Sequence, residues 1–177
     1  MVEPAKRPIF TVGRYLDVLV VLVVAFVAWK VFLAPRMFKT DAKAQPAPHV
    51  VYQRLDGSSF ALAAQQGHLV FLDFFASWCE PCRLELPMVE RYAREHPEIE
   101  VVPVDVGEPS AVAASYAQKL HLGNVALDPK STAQGFFAVE GFPTVVVVDP
   151  QGKIRASWSG LNPAIELAMS NAEKKLK

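Results

Sequence analysis

Residues 69–83 of the chain, LVFLDFFASWCEPCR, place two cysteines directly after an apolar run. This run holds a single acid, Asp73, and a near-continuous apolar run is typical of a strand buried on both faces. Apolar residues then recur at helical spacing, which predicts a helix over Glu80–Glu95. Cys79 and Cys82 therefore lie between a buried strand and a helix.

The position of this pair favours redox chemistry. Cys79 falls at or near the predicted helix start, where free N–H groups and the helix dipole favour an anion, and thiols in such positions generally have a lowered pKa. Cys82 lies one turn later on the same face, so it can close a disulfide with Cys79 or attack a mixed disulfide formed there. Pro81 is compatible with the first helical turn. An inert buried pair and half of a metal site are the competing interpretations.

The composition excludes several other classes of protein. Only two cysteines occur in 177 residues, too few for a disulfide-stapled scaffold or for a structural zinc site built on cysteine. The four histidines show no ligand-like spacing to the pair, so we predict no metal site. The formal net charge is zero, which removes the usual electrostatic case for nucleic-acid binding.

The N-terminal part of the chain has a different character. Val18–Leu33 is apolar except for Lys30, and its length is close to that needed to span a bilayer. We predict an uncleaved transmembrane anchor, with a cleavable signal peptide as the alternative. Basic residues flank the segment on both sides, so their distribution gives no orientation. The predicted divisions are an N-terminal tail (1–14), the anchor (15–34), a linker rich in Ala, Pro and Lys (35–48) and one folded domain (49–177).

Further strands and helices follow from the apolar patterns and turn signals. The order of elements predicts an α/β domain with a mixed central sheet and helices on both faces. Ser110 is expected to cap a helix after Pro109. The predicted strands cover 50–55, 58–62, 69–75, 99–106, 144–149 and 153–158, and the predicted helices cover 80–95, 110–120, 132–137 and 163–176.

Several short motifs occur together in a fixed order. From residue 49 to the C-terminus, the chain resembles the thioredoxin superfamily and, within it, the TlpA/ResA-like membrane-anchored branch. The resemblance implies a thioredoxin-like fold. The motifs that carry it are Phe74-Phe75-Ala76-Ser77-Trp78-Cys79-Glu80-Pro81-Cys82-Arg83, Leu86-Pro87, Val104-Asp105-Val106-Gly107-Glu108, Leu127-Asp128, Phe142-Pro143-Thr144 and Pro150-Gln151-Gly152-Lys153.

The same resemblance implies roles for individual residues. Cys79 would be the attacking thiol and Cys82 the buried resolving thiol. Pro143 would be a cis-proline beside the disulfide, and Phe142 would offer backbone hydrogen bonds to an extended substrate peptide. The residues predicted to contact substrate are Trp78, Pro81, Phe142, Pro143 and Thr144.

Three acids are further candidates for the catalytic site. Glu85 and Glu108 match positions that ResA-like proteins place near the active site, and Glu85 shares a helix face with Cys82. A carboxylate there disfavours a thiolate and can relay its proton, whereas a solvated surface glutamate is the alternative for each. Asp73 matches the buried acid of thioredoxin, although the TlpA/ResA-like branch often has an amide there. Val101 falls about where thioredoxin carries the lysine partner of that acid, so the main base is left open.

The predicted function is thiol–disulfide oxidoreductase activity on protein disulfides, with reduction preferred. No cofactor is expected beyond the Cys79–Cys82 disulfide. By resemblance, the domain would lie in the periplasm of a bacterium, anchored in the inner membrane and supplied with electrons by a membrane thiol transporter. Candidate substrates would be apocytochrome c or copper-centre assembly proteins. The alternatives are a disulfide-forming oxidant and a non-catalytic metal-binding or chaperone module.

Overall fold

The computed structural model describes residues 12–28 and 44–177. The chain divides into two compact units, 1–38 and 39–177. Within the described ranges, no helix is long and apolar enough to cross a membrane. The predicted anchor (15–34) extends beyond these residues, as do most of the tail and most of the linker, so the borders of these segments stay predictions.

The described residues form five α-helices and eight strands. A 3-10 turn at Leu62–Gln65 separates β3 from β4. The elements are α1 (Val12–Ala28), β1 (Gln45–Pro46), β2 (Val51–Arg54), β3 (Ser59–Ala61), β4 (Val70–Phe75), α2 (Glu80–Glu95), β5 (Glu100–Val106), α3 (Ser110–Leu120), β6 (Ala126–Asp128), α4 (Ala133–Phe137), β7 (Thr144–Val148), β8 (Lys153–Ser159) and α5 (Ile165–Leu176).

All eight strands belong to one sheet, in the order β1-β8-β7-β4-β5-β6-β2-β3. The pairs β4–β5 and β5–β6 are parallel, because α2 and α3 return the chain to the same end of the sheet. The other pairs are antiparallel. The predicted mixed sheet is therefore confirmed, with β4 and β5 at its centre.

Strand β4 supplies side chains to the cores on both faces of this sheet. Leu72 and Phe74 belong to one core, which also contains Phe137 of α4. Phe71 belongs to the opposite core, with side chains of α2 and α5. Since strand side chains alternate between faces, the six buried residues of β4 require cover on both sides. Helices provide it, as predicted.

Two strands and one helix cap differ from the sequence predictions. Gln45–Pro46 lies in the predicted linker but pairs with Ile154 and Lys153 of β8. The strand Ala126–Asp128 was not predicted at all, because two or three residues are too few to show alternation. Ser110 is the first residue of α3 rather than its cap. Pro109 holds the cap position, and no side chain caps this helix.

Replacing Phe71 by Ala should lower the free energy of unfolding by about 3–5 kcal/mol, because it empties a close-packed core. Phe71 is fully buried, and its ring lies 6.0 Å from that of Tyr92 and 6.4 Å from that of Trp158. Phe136→Ala is the control, since this side chain is 53% exposed and its loss should cost less than about 0.5 kcal/mol. Urea denaturation measures both values. Equal losses would contradict this description of the core.

Candidate active site

The two cysteines lie where β4 ends and α2 begins. Cys79 is the N-cap residue of α2, and its Sγ accepts a hydrogen bond of 3.2 Å from the backbone N–H of Cys82. Pro81 occupies the first turn, where its missing N–H leaves no helical bond unmade. The two sulfurs form a disulfide. The strand–helix junction thus places a redox-active pair at the positive end of a helix dipole.

The two sides of the disulfide differ in their access to solvent. Cys82, in the first turn of α2, is fully buried, whereas Cys79 is 4% exposed. Trp78 and Pro81 lie on the surface beside Cys79. This arrangement suits Cys79 for contact with a partner and Cys82 for attack from within, the roles that the resemblance implied.

The loop before β7 packs against this junction. The Phe142–Pro143 peptide bond is cis, as the resemblance implied for Pro143. Phe142 packs against the buried cluster that contains both cysteines, and its ring lies 5.7 Å from that of Trp78. The Thr144 side chain is buried, and its hydroxyl donates to the Gly141 carbonyl oxygen at 2.8 Å. Thr144 therefore supports the loop and offers a substrate no free surface.

Glu85 is brought close to the resolving cysteine. It lies one turn after Cys82 on α2 and is 1% exposed. Its Oε2 accepts a hydrogen bond of 2.6 Å from the backbone N–H of Asn162. Burial raises the pKa of Glu85 to about 7, and the Asn162 N–H partly opposes this rise. At neutral pH, Glu85 can therefore both accept and release a proton.

Asp73 lies deeper in the same region of the core. It is fully buried in β4, and the described residues offer its two oxygens no hydrogen-bond partner. Burial raises the pKa of Asp73 well above its ordinary value, and the charge of Glu85 raises it further. The ionisation of Glu85 therefore opposes that of Asp73.

The sequence prediction misplaced the neighbour of Asp73 on the next strand. Val101 lies beside Phe71, and Pro103 is the residue of β5 opposite Asp73. The error is one of register, which depends on strand pairing and is not visible in a single strand. The conclusion that a lysine partner is absent from this position still holds, because Pro103 is uncharged.

Glu108 lies at the same junction but acts on a different part of it. Its two carboxylate oxygens accept hydrogen bonds from Ser77, one from the backbone N–H at 2.6 Å and one from the hydroxyl at 2.7 Å. Ser77 precedes Cys79 by two residues. Glu108 therefore holds the segment that leads into the disulfide, whereas Glu85 lies behind it.

Asp105 is a buried acid that the sequence analysis did not single out. It is 1% exposed on β5, directly beside Phe75 of β4. Burial raises the pKa of Asp105 to about 8, and the Glu108 carboxylate raises it as well. The signal was present in the sequence, because Asp105 is a lone acid in an apolar run, as Asp73 is.

A separate cluster at the other end of α2 has the spacing of metal ligands. Among the described residues, His96, Glu98 and Glu173 are the group whose ligand atoms lie close enough together to hold a cation. The ammonium of Lys177 already binds both glutamates, at 3.0 Å and 2.8 Å. Neither cysteine belongs to this cluster.

Comparison with known proteins places this site in a family. A model of the AhpC/TSA family matches residues 44–157. The chain belongs to the AhpC/TSA family. It is 34% identical over 112 residues to the thiol-disulfide oxidoreductase ResA of Bacillus subtilis, covering 61% of this chain and 62% of that protein. It is 31% identical over 117 residues to ResA of Geobacillus thermodenitrificans, covering 64% and 67%.

The chain is also similar to solved structures. A protein of Chlorobium tepidum, described as a thiol:disulfide interchange protein of DsbE type, is 27% identical with a TM-score of 0.70, over 77% of this chain and 98% of that one. The exposed lipoprotein thioredoxin Etrx1 of Streptococcus pneumoniae is 26% identical with a TM-score of 0.63, over 71% and 99%. The predicted thioredoxin-like fold and the predicted enzyme class, a thiol–disulfide oxidoreductase of ResA and DsbE type, are confirmed.

Glu85→Gln should change how stability depends on pH in the oxidised protein. The folded-state pKa of Glu85, about 7, lies above that of an unfolded glutamate, so its contribution to stability is present at low pH and is lost as the pH rises. The stability of the unsubstituted protein relative to Glu85→Gln should therefore fall by about 3 kcal/mol between about pH 4.5 and pH 7, and then level off.

Urea denaturation at several pH values measures this difference. Glu95→Gln is the matched control, because Glu95 lies on the same helix but is exposed, and it should retain the original pH dependence. A difference that stays constant from pH 4 to pH 8 would contradict the described environment of Glu85.

Proposed function

We propose that the chain is a reductant of protein disulfides. The observation that carries this proposal is the pair of buried acids, Asp73 and Glu85, behind Cys82. A carboxylate in a buried site disfavours a nearby thiolate. Since oxidants of this kind depend on a stabilised reduced form, acids that destabilise the thiolate favour transfer of electrons to the substrate.

The proposed reaction begins with Cys79. Its thiolate attacks one sulfur of a substrate disulfide, a mixed disulfide forms, and the other substrate sulfur leaves as a thiolate. Cys82 then loses its proton to the Glu85 carboxylate and attacks Sγ of Cys79. The mixed disulfide breaks, and the second substrate thiolate leaves and takes up a proton.

The proposed reaction transfers two electrons and two protons from the enzyme to the substrate. The two enzyme thiols are oxidised to the Cys79–Cys82 disulfide, and the substrate disulfide is reduced to two thiols. One proton leaves with the ionisation of Cys79, and the other passes from Cys82 through Glu85. We assign the role of base to Glu85 because its pKa is about 7 and because it lies one turn after Cys82 on α2.

The surface around Cys79 suits an extended polypeptide. Trp78 is 72% exposed, and its ring contacts the half-buried Phe142. Among the described residues, the backbone groups of Phe142 make no hydrogen bond, so they are free to pair with a substrate strand. Together with Pro143 and Pro81, these residues would hold a cysteine-containing segment against Cys79.

The proposed setting is the periplasmic side of a bacterial inner membrane. The run Val18–Leu33 supports an anchor, and the described part of α1 exposes apolar side chains from Val18 to Val27. Etrx1, one of the similar proteins, is described as an exposed lipoprotein. A membrane thiol transporter would return electrons to the disulfide, and apocytochrome c or copper-centre assembly proteins are the proposed substrates.

The direction of electron flow is tested by the reduction potential. We expect a value near that of thioredoxin, about −270 mV, together with reduction of insulin disulfides, because the buried acids disfavour the thiolate. A potential near about −120 mV would reverse the assignment to an oxidant. Tight stoichiometric copper binding without insulin reduction would favour the metal-binding alternative.

Cys82→Ala should trap mixed disulfides between Cys79 and its substrates, because the resolving thiol is missing. Cys79→Ala is the matched control and should trap none. Non-reducing gels followed by mass spectrometry identify the partners. Equal trapping by both variants would contradict the assigned roles.

Paired reporter fusions after Lys177 test the proposed location. A periplasmic phosphatase should be active there, and a cytoplasmic galactosidase should be inactive. Deleting residues 15–34 should reverse both results, because it removes the proposed anchor. Galactosidase activity in the full-length fusion would contradict the proposed periplasmic location.

A further inference from the structure

The segment that leads into the disulfide is held at two points. The Cys79 N–H donates to the Ala76 carbonyl oxygen at 3.0 Å. The N–H and hydroxyl of Ser77 both donate to Glu108. Hydrogen bonds to an ionised acceptor are the stronger kind, so the position of the Glu108 carboxylate determines where Ser77, and with it Cys79, lies.

Asp105 lies directly behind this contact. It belongs to β5, three residues before Glu108, and its side chain faces the side of the sheet that α2 covers, as those of Phe75 and Asp73 do. Neither Asp105 oxygen makes a hydrogen bond of good geometry with a described residue, although the backbone N–H of Glu108 interacts with this carboxyl group and partly opposes the rise in its pKa. An ionised carboxylate without donors is costly to bury, whereas a protonated one can itself donate. The acceptor that interacts with Asp105 is the Glu108 carboxylate.

We propose that Asp105 is a positioning residue of the redox site: in its protonated form it donates a hydrogen bond to Glu108 and thereby fixes the carboxylate that holds Ser77. In this role Asp105 acts through Glu108 and Ser77 and not directly on the reacting sulfur atoms. Its effect on turnover rests on the proposed function, whereas its protonation and its effect on Ser77 do not.

Among the charged groups around the pair, Glu108 is the one that acts on Asp105. From α3, Tyr116 faces this region, and the charge of Glu108 acts on its hydroxyl. Arg83 and Glu80 of α2, which pair with each other, act on Tyr116. Asp128 of β6 is occupied by hydrogen bonds from Thr132 and Ala133.

Ionisation of Asp105 would disrupt this arrangement. Below the pKa of Asp105, about 8, the pair carries one negative charge, and the shared proton holds the two carboxyl groups together. Above it, two negative charges face each other and repel. Glu108 would then shift, and Ser77 would lose its fixed acceptor.

The first test follows the proton itself. In the oxidised full-length chain, where no thiol titrates, the 13C signal of the Asp105 carboxyl group should titrate near pH 8. This signal is assigned by its absence from the spectrum of Asp105→Asn. The Ser77 amide signal should shift over the same pH range. This shift should vanish in Asp105→Asn, because the asparagine side chain can donate a hydrogen bond to Glu108 at every pH. Asp56→Asn, at an exposed turn, is the control and should leave both signals unchanged.

The second test measures the reaction. The rate of insulin reduction should decline above about pH 8 in the unsubstituted chain. If ionisation of Asp105 causes this decline, the rate and the Asp105 carboxyl signal should change over the same pH range. In Asp105→Asn, this component of the decline should be absent. Asp105→Ala removes the donor and should slow the reaction about tenfold at pH 7, the size of one hydrogen bond to a charged group.

Two results would overturn the inference. One is an Asp105 signal that titrates in the ordinary range of an aspartate, and the other is a Ser77 signal that does not respond to Asp105. A chain that reduces no disulfide but shows both NMR effects would instead refute the proposed function and leave the positioning role of Asp105 intact.

Discussion

Burial of β4 along its entire length is the constraint on which the redox site depends. All six residues of this strand are buried, and side chains from both faces of the sheet hold it in one register between β5 and β7. Its carboxyl end therefore has a fixed position and direction. Because α2 begins only five residues after the strand ends, the helix N-terminus and Cys79 are fixed with it.

The same burial gives the ionisable groups near the disulfide their properties. Asp73, Glu85 and Asp105 have raised pKa values chiefly because they are removed from water. Their environments differ in detail, however. Glu85 receives a hydrogen bond from a backbone N–H, whereas the described residues offer Asp73 no donor. Besides burial, Asp105 is influenced by the neighbouring Glu108. One region of the core thus raises the pKa values of three acids that differ in their immediate surroundings.

These acids surround the disulfide from two directions. Asp73 and Glu85 lie behind Cys82, which loses its proton in the proposed reaction. In the proposed arrangement, Asp105 and Glu108 hold the segment before Cys79 in position and take no part in proton transfer. We infer that the two acid pairs have different tasks in one reaction. Asp73 and Glu85 take part in proton transfer from Cys82, whereas Asp105 and Glu108 fix the position of Cys79.

The sequence by itself determined the strand–helix junction, the positions of α2 and the longer strands, and the enzyme class. These features follow from local periodicity and from motifs of adjacent residues, which a single sequence displays directly. The tertiary structure alone decided what lies opposite Asp73, that Gln45–Pro46 joins the sheet, and that Glu108 binds Ser77 across 31 positions of the chain. Such contacts depend on strand register and on the packing of segments that are distant in the sequence. A shift of the strand pairing by one residue would place a different side chain at each of these positions.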